Sequence, residues 1–451
     1  MLGRVHNTNI PEMTTHPFTF RKPLLALALS AASVLSLPTP SQAASPASFF
    51  HVSGFVRLYG FNKNYGAPTK PDQRSSALGE GLNITTDPFL GGFGLGLSVY
   101  NANAIETFPA GDKAHETTLM GAKSSLTTVG QAYVQYARDG ALIRAGRQII
   151  NTPWMGARDS RMIPQTFQGV WASIAPMKGL QLMATRINAF KSRTSDGFTH
   201  DNLYYPNGYE DDELYGTTTV FPKKTVLPEA SGTSVIGARY HSGPIHGEAW
   251  FYDYTDFARS TYLNGGYAFG KAHDAFAPYV DAQFMHQTGG SMFQKYKATL
   301  FGKGGAVDST LWGLRGGVKF SGNNVSLAYN KLEDHANAFG CGSIVSPYGD
   351  HTAMYAAVMT ANLLAYGPGD ATELAYSRSF LDHQLKLKVA ALKFHTTYSG
   401  NPHAVYFDAT YALSGKLKGL SIRERLAISN GASSSAYRSL VYNRLMLQYR
   451  F

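Results

Sequence analysis

Residues 441–451 read VYNRLMLQYRF. Taken two at a time they sort into Val441, Asn443, Leu445, Leu447, Tyr449 and Phe451 on one side, and Tyr442, Arg444, Met446, Gln448 and Arg450 on the other. Successive side chains of an extended strand point to opposite faces, so this is a strand with one nearly pure apolar face and one arginine-bearing face. Such a strand is half-buried in a core or half-dissolved in lipid. Alternation by itself leaves both open.

The same period recurs along the chain. Trp312, Leu314, Gly316, Val318 and Phe320 oppose Gly313, Arg315, Gly317 and Lys319, and after the turn Ser321–Asn324 come Val325, Leu327 and Tyr329 opposing Ser326, Ala328 and Asn330. Val405, Phe407, Ala409 and Tyr411 oppose Tyr406, Asp408 and Thr410; beyond Ser414–Gly419, Ile422, Leu426 and Ile428 oppose Arg423, Arg425 and Ser429, with Glu424 breaking the apolar face. Connections come in two sizes: short ones such as Ser321–Asn324, Ser414–Gly419 and Ser242–His246, and long polar ones such as Asn188–Ala230 and Glu333–Thr352. Short turns and long loops joining alternating strands are the pattern of an outer-membrane barrel. Lipid supplies the reason, because no water reaches the backbone there and only a closed barrel pairs every strand group. The expected fold is therefore all-β, a transmembrane antiparallel β-barrel formed by a single domain over residues 44–451. A chain ending on Phe451, with Tyr449 on the same face, agrees with the terminal signal of such barrels.

The N-terminal region points to the same compartment. Arg21 and Lys22 precede an apolar run from Leu24 to Leu37, followed by Pro38 and then Ser41-Gln42-Ala43. That is the form of a secretory signal peptide, expected to be removed after Ala43, with translation starting at Met1 or at Met13. The run is shorter than the roughly 20 residues a membrane-spanning helix needs. Charged residues are 16 % and aromatics 13 % of the chain, against about 25 % charged in an ordinary globular domain. The net charge of +10 points, in an exported protein, to small anionic or zwitterionic solutes and to outer-membrane lipid and lipopolysaccharide as partners rather than to nucleic acid. The single cysteine, Cys341, excludes an intrachain disulfide.

One stretch fits no strand. Residues 146–170, GRQIINTPWMGARDSRMIPQTFQGV, carry Arg147, Arg158, Asp159 and Arg161, two prolines and three glycines without periodicity. Irregular backbone is forbidden against lipid but tolerated where it lines a watery cavity, so this segment is expected to fold into the lumen and narrow it. GRQ at 146–148 and DSRMIPQTFQG at 159–169, with VRLYGFNKN at 56–64, GLSIRERLA at 419–427 and YNRLMLQYRF at 442–451, resemble the OprD family of outer-membrane porins. The resemblance implies a barrel of about eighteen strands, residence in the outer membrane of a Gram-negative bacterium, and passive diffusion of small solutes, carboxylates or amino acids among them. It also implies a basic track on one lumenal wall. Carried over, the track comprises Arg57, Arg423, Arg425 and Arg444, of which the alternation independently puts Arg423, Arg425 and Arg444 on polar faces. Arg57 shares its face with Phe55, Tyr59 and Phe61, so its orientation rests on the resemblance. Two further positions, Asp350 in YGDHTA and Tyr215 in ELYG, resemble the family's pocket above the constriction, although His351 stands where the family tends to have Ser. Glu424 and Ala390 also depart from the pattern, standing where an apolar residue and an Arg are expected; Lys386 and Lys388, on the face of Ala390, can restore the charge.

Plainer roles compete with these. An arginine on a polar strand face can be merely solvated, Asp350 can be a turn residue, and Arg147, Asp159 and Arg161 can form ion pairs that pin the loop as readily as they can touch a solute. Glu333, Asp334, His335 and Cys341 match no zinc spacing and read as a solvated loop, and no cofactor is expected. Monomer and homotrimer are both open. The alternative to a porin is a barrel enzyme of lipase or protease type, but no nucleophile-elbow motif is present.

Overall fold

The structure, a computed structural model, describes residues 49–451 apart from 67–69, 110, 201–220, 223–224, 226–230, 271–274, 350–351 and 434–437. Strands β1 to β9 are Phe50–Tyr65, Gln73–Thr86, Phe93–Ala104, Ser125–Arg138, Ala141–Gln148, Thr166–Met177, Leu180–Lys191, Thr233–Ser242 and Ile245–Tyr254. Strands β10 to β18 are Ala258–Ala268, Ala277–Gly289, Val307–Phe320, Asn323–Leu332, Gly369–Phe380, Leu385–Thr396, Gly400–Ala412, Leu420–Ala432 and Ser439–Arg450. Each pairs antiparallel with its sequence neighbours in one 18-stranded sheet. β18 returns to β1, with Phe55 opposite Arg450 and Tyr65 opposite Leu440, so the sheet closes without an edge.

Period two decides what each face meets. Leu78 and Leu82 of β2, Leu95 and Leu97 of β3, Leu327 of β13, Leu374 of β14, Val389 of β15 and Ile422 of β17 are exposed on the outside, the reverse of a water-soluble protein and the expected outer face of a barrel in lipid. The other set points inward, and the aromatic face of β1 belongs to it: Phe55, Tyr59 and Phe61 are buried together with Arg57. Glu424, which interrupts the apolar set of β17, stays on the outer face, where Asn443 of β18 donates to its carboxylate.

The two rims differ. Connections 139–140, 178–179, 243–244 and 321–322 are two-residue turns at one rim. Asp139 (φ 49°) and Gly140 (φ 80°), like Ser321 (φ 46°) and Gly322 (φ 78°), take the left-handed conformations of a type I′ hairpin, whose twist matches that of the flanking strands. The opposite rim carries the long connections 105–124, 149–165, 192–232, 290–306 and 333–368.

These long segments fill the barrel. Trp154, Phe293, Phe339, Ile344 and Val345 join the inward residues Tyr252, Tyr262 and Met285 in one buried cluster. Leu119, Met162 and Ile163 join Phe55, Phe61, Tyr100 and Tyr442 in a second. The expectation of a solvated loop at Glu333, Asp334, His335 and Cys341 holds at the exposed Asp334 and is corrected at Cys341, which is wholly buried with Phe339. A polar reading from charges alone overlooked the apolar residues between them.

Candidate functional site

The connector 149–165 crosses the interior. Near its start, Trp154 packs edge-on against Tyr262 of β10 (centroids 6.1 Å apart, planes at 76°), and its backbone N–H donates to Tyr252 Oη of β9 at 3.3 Å. Near its end, Asp159 accepts two hydrogen bonds from Arg57 of β1, Nη1 to Oδ1 at 2.6 Å and Nη2 to Oδ2 at 2.7 Å. β1 and β10 stand half the 18-strand ring apart. A segment tied to both spans the lumen. Two local features seat it. A Cβ on Gly79 of β2 would come 2.8 Å from Met162 Cε, so the bare glycine makes room for the connector's second half, and Arg57 Nη1 also donates to the Arg161 carbonyl at 3.0 Å.

Arg57 is therefore a clasp as well as a charge. It is 1 % exposed, its guanidinium lies 3.7 Å over the Phe55 ring, and its Nε donates to Gln448 Oε1 at 2.7 Å. The fork geometry of a guanidinium matches a carboxylate with two parallel bonds. Lys63, six residues further up the same strand, does the same for the connector 105–124, lying 2.8 Å from Glu116. Burial alone would raise the Glu116 carboxyl's pKa, but the Lys63 and Arg161 cations outweigh it and hold the group below its ordinary value.

The wall formed by β16, β17, β18 and β1 carries the basic residues. Arg423 donates to Asp408 twice, Nε to Oδ1 at 2.8 Å and Nη2 to Oδ2 at 2.6 Å, and Arg425 Nε donates to Tyr406 Oη at 2.7 Å. Tyr406 Oη in turn donates to Asp408 at 2.7 Å. Arg444 is 3 % exposed, with its guanidinium 4.5 Å from the Phe61 ring and 4.3 Å from the Tyr442 ring. Arg450 stays open to the lumen and lies 3.9 Å from Asp159. Such stacking holds a cation in place without neutralising it.

The opposite wall has a cluster that the sequence reading did not single out. Arg239 of β8 donates to Glu248 of β9 at 3.1 Å, which also accepts from Trp250 Nε1 at 2.9 Å. Arg315 of β12 donates to Asp281 of β11 from Nε at 2.8 Å, with Nη2 2.7 Å from the same oxygen. His246 Nε2 lies 3.2 Å from the other Asp281 oxygen, an approach open only because Gly266 beside them has no side chain. A cavity of about 360 Å³ lies between these pairs and the connectors, lined by Asn151 and Pro153 on one side and Met354 and Tyr355 on another. The signal was available: Arg239 and Arg315 both fall on faces opposite apolar ones, but their partners lie on neighbouring strands whose register the sequence alone does not supply.

Of the residues singled out from sequence, Arg57, Asp159, Arg423, Arg425 and Arg444 come together on one wall and its connector. Arg161, in the connector itself, is buried, with its guanidinium 5.3 Å from the Phe61 ring. Arg147 is corrected: it alternates with the buried Gln148, its Nε donates to Gln168 at 3.2 Å, and its guanidinium covers Phe198 at 4.5 Å, outside the lumenal cluster. Tyr215 and Asp350 lie outside the described residues. Ala390 points inward, and of the two lysines on its face Lys388 pairs with Glu373 of β14 at 3.1 Å. Among the described residues no group of His, Cys, Asp or Glu is arranged to hold a metal ion.

A closed barrel with an apolar outside, a charged inside and a connector tied to opposite walls defines an outer-membrane porin. Residues 90–451 match the family model for the outer membrane porin, OprD family. The chain belongs to the OprD family, and its place is the outer membrane of a Gram-negative bacterium. Among solved structures it is similar to OccK9 (OpdG) of Pseudomonas aeruginosa, with a TM-score of 0.72 and 17 % identity over 89 % of this chain and 98 % of that one. OpdK of the same organism, solved with vanillate, gives 0.71 and 16 % over 89 % and 98 %. A BenF-like porin from Pseudomonas fluorescens Pf-5 gives 0.71 and 16 % over 90 % and 100 %. A search of curated protein sequences finds no match.

Proposed function

We propose that this porin is a selective channel through which small carboxylates diffuse passively, drawn past the connector 149–165 by the basic wall. The observation that carries this is the charge balance of β16–β18 and β1. Arg57, Arg423, Arg425, Arg444 and Arg450 face inward there, against Asp408 and the connector's Asp159. Cations held on low-dielectric walls focus a positive potential into a narrow passage and raise the local anion concentration. Vanillate, the molecule solved with the neighbour OpdK, is itself a carboxylate, which supports the class. Residues 1–43 act as the export signal in this reading, so the protein isolated from the outer membrane begins near Ala44.

The test is the zero-current potential of the reconstituted channel in a salt gradient. The double substitution Arg423→Glu and Arg425→Glu should move it toward cation preference and slow carboxylate uptake into liposomes. An unchanged potential at low salt would leave these arginines as solvated wall and make Asp159, with Asp350, the centre of a cation-selective pathway instead.

A further inference from the structure

The cavity on the opposite wall differs from the basic one in bringing donors and acceptors together. Arg239 uses Nε on Glu248, and Arg315 uses Nε and Nη2 on Asp281; among the described residues no partner is found for either Nη of Arg239 or for Nη1 of Arg315. Both side chains remain open, at 44 % and 37 % exposed. The two ion pairs are not independent. Asn264 donates to Glu248 Oε1 at 3.3 Å and accepts from the Tyr355 hydroxyl at 2.8 Å, while the Tyr355 ring lies 4.5 Å beneath the Arg315 guanidinium. Asn264 and Tyr355 therefore link the Arg315 guanidinium to the Glu248 carboxylate. The 3.3 Å contact leaves Glu248 Oε1 weakly occupied, and that side chain is 19 % exposed.

We propose that this cavity is a seat for a zwitterion: the solute's carboxylate on the free nitrogens of Arg239 and Arg315, and its ammonium on Glu248 Oε1. The inference rests on the reading of the protein as a carboxylate channel and adds a preference within that class. A guanidinium with spare N–H groups matches a carboxylate. A partly exposed carboxylate beside it penalises a second negative group and rewards a positive one. Asp281 is only 3 % exposed and is saturated by Arg315 and His246, so among the described residues Glu248 is the carboxylate that offers an acceptor. The cavity's 360 Å³ holds an amino acid of ordinary size with water to spare. Tyr355 and Met354 come from the connector 333–368, and Asn151 from 149–165. A solute seated here touches both connectors before passing below them.

Single channels of the full chain in planar bilayers test this, with L-serine and 3-hydroxypropanoate as probes. The second is the first with its ammonium replaced by hydrogen. Each should interrupt the ion current transiently, and the serine dwell time should be the longer. Glu248→Gln should lower the ratio of serine to 3-hydroxypropanoate dwell times about tenfold, the scale of one charge-assisted hydrogen bond. Arg315→Gln should shorten both. Heat-modifiable gel mobility identifies folded variants; if Glu248→Gln does not fold, Glu248→Asp, which withdraws the carboxylate by one methylene, should lower the same ratio in the same direction. A ratio unmoved by the folded Glu248 variant overturns the seat while leaving the channel reading intact. Failure of 3-hydroxypropanoate to interrupt the wild-type current strikes at the channel reading itself.

Discussion

Both lumenal walls carry inward arginines, yet they hold them differently. On the wall of β8 to β15, three cations find a carboxylate on the neighbouring strand: Arg239 with Glu248, Arg315 with Asp281, Lys388 with Glu373. On the β1 side Arg423 pairs likewise with Asp408 of the neighbouring strand, but the partners of Arg57 and Lys63 arrive from connectors, Asp159 and Glu116, and Arg444 rests on aromatic rings. The first arrangement neutralises these three cations and ties neighbouring strands together. The second leaves net positive charge and uses it to hold inserted segments across the barrel. One inward face, with the same residue types, thus yields a recognition surface on one side and a clasp on the other.

The largest effect is expected where the connector meets the β9–β10 wall without any charge. Trp154 is 1 % exposed and packed on Tyr262, and Trp154→Ala should cost about 3–5 kcal/mol, as large-to-small core changes do. Urea unfolding in lipid would read it. Single-channel conductance should rise as well, since the freed connector no longer crosses the lumen; a conductance equal to wild type would mean that the clasp on β1 suffices alone.

Next comes the Lys63 and Glu116 pair. Both groups are buried, so Glu116→Gln takes the carboxylate away from a buried ammonium and should cost about 3 kcal/mol. Because the folded carboxyl's pKa is depressed, its contribution is complete above the ordinary Glu value of about 4.3 and is lost only as pH falls through the lower folded value. The stability gap between wild type and variant should accordingly stay level from pH 8 to about 5 and close in more acid solution. A gap that closes near neutrality would contradict a depressed Glu116.

Arg57→Gln should be milder, about 1.5–2 kcal/mol, because Asp159 is about a third exposed and water can take over its hydrogen bonds. Its signature is electrical rather than thermodynamic: flickering of the open current as the connector end detaches. A steady current with unchanged stability would demote the clasp to a surface pair.

How much of this was legible follows from the same contrast. Period two exposed the strands, the barrel and the inward setting of Arg423, Arg425 and Arg444, since each depends only on residues two positions apart. It left β1 undecided, where Arg57 shares a face with aromatic residues, because rings serve both lipid and a packed lumen. It located the irregular connector but not its moorings: Arg57 and Asp159 are far apart in sequence, and only folding joins them. Glu248 and Asp281 were missed for a related reason, because cross-strand pairing requires the register of specific hairpins. The buried apolar residues of 333–368 were hidden among glycines and polar groups without any period to reveal them.

The smallest effect expected is also the one that most sharply compares the walls. Asp408 lies between Arg423 and Arg425, so the basic wall at that level presents about one net positive charge rather than two. Asp408→Asn should unmask the second. At about 5 Å in water a unit pair is worth roughly 0.8 kcal/mol, and screening over about 10 Å at 0.1 M salt trims this further, so anion over cation permeability should rise about two- to threefold. The asparagine keeps an acceptor for Arg423, so the barrel's stability should scarcely change. Glu248→Gln removes a carboxylate from the opposite wall and should move permeability in the same direction, while shortening the serine dwell time. Asp408→Asn should leave the serine to 3-hydroxypropanoate ratio where it was. If instead both substitutions shifted that ratio equally, the walls would form one electrostatic ring, and the division into a guiding wall and a recognising one would not hold.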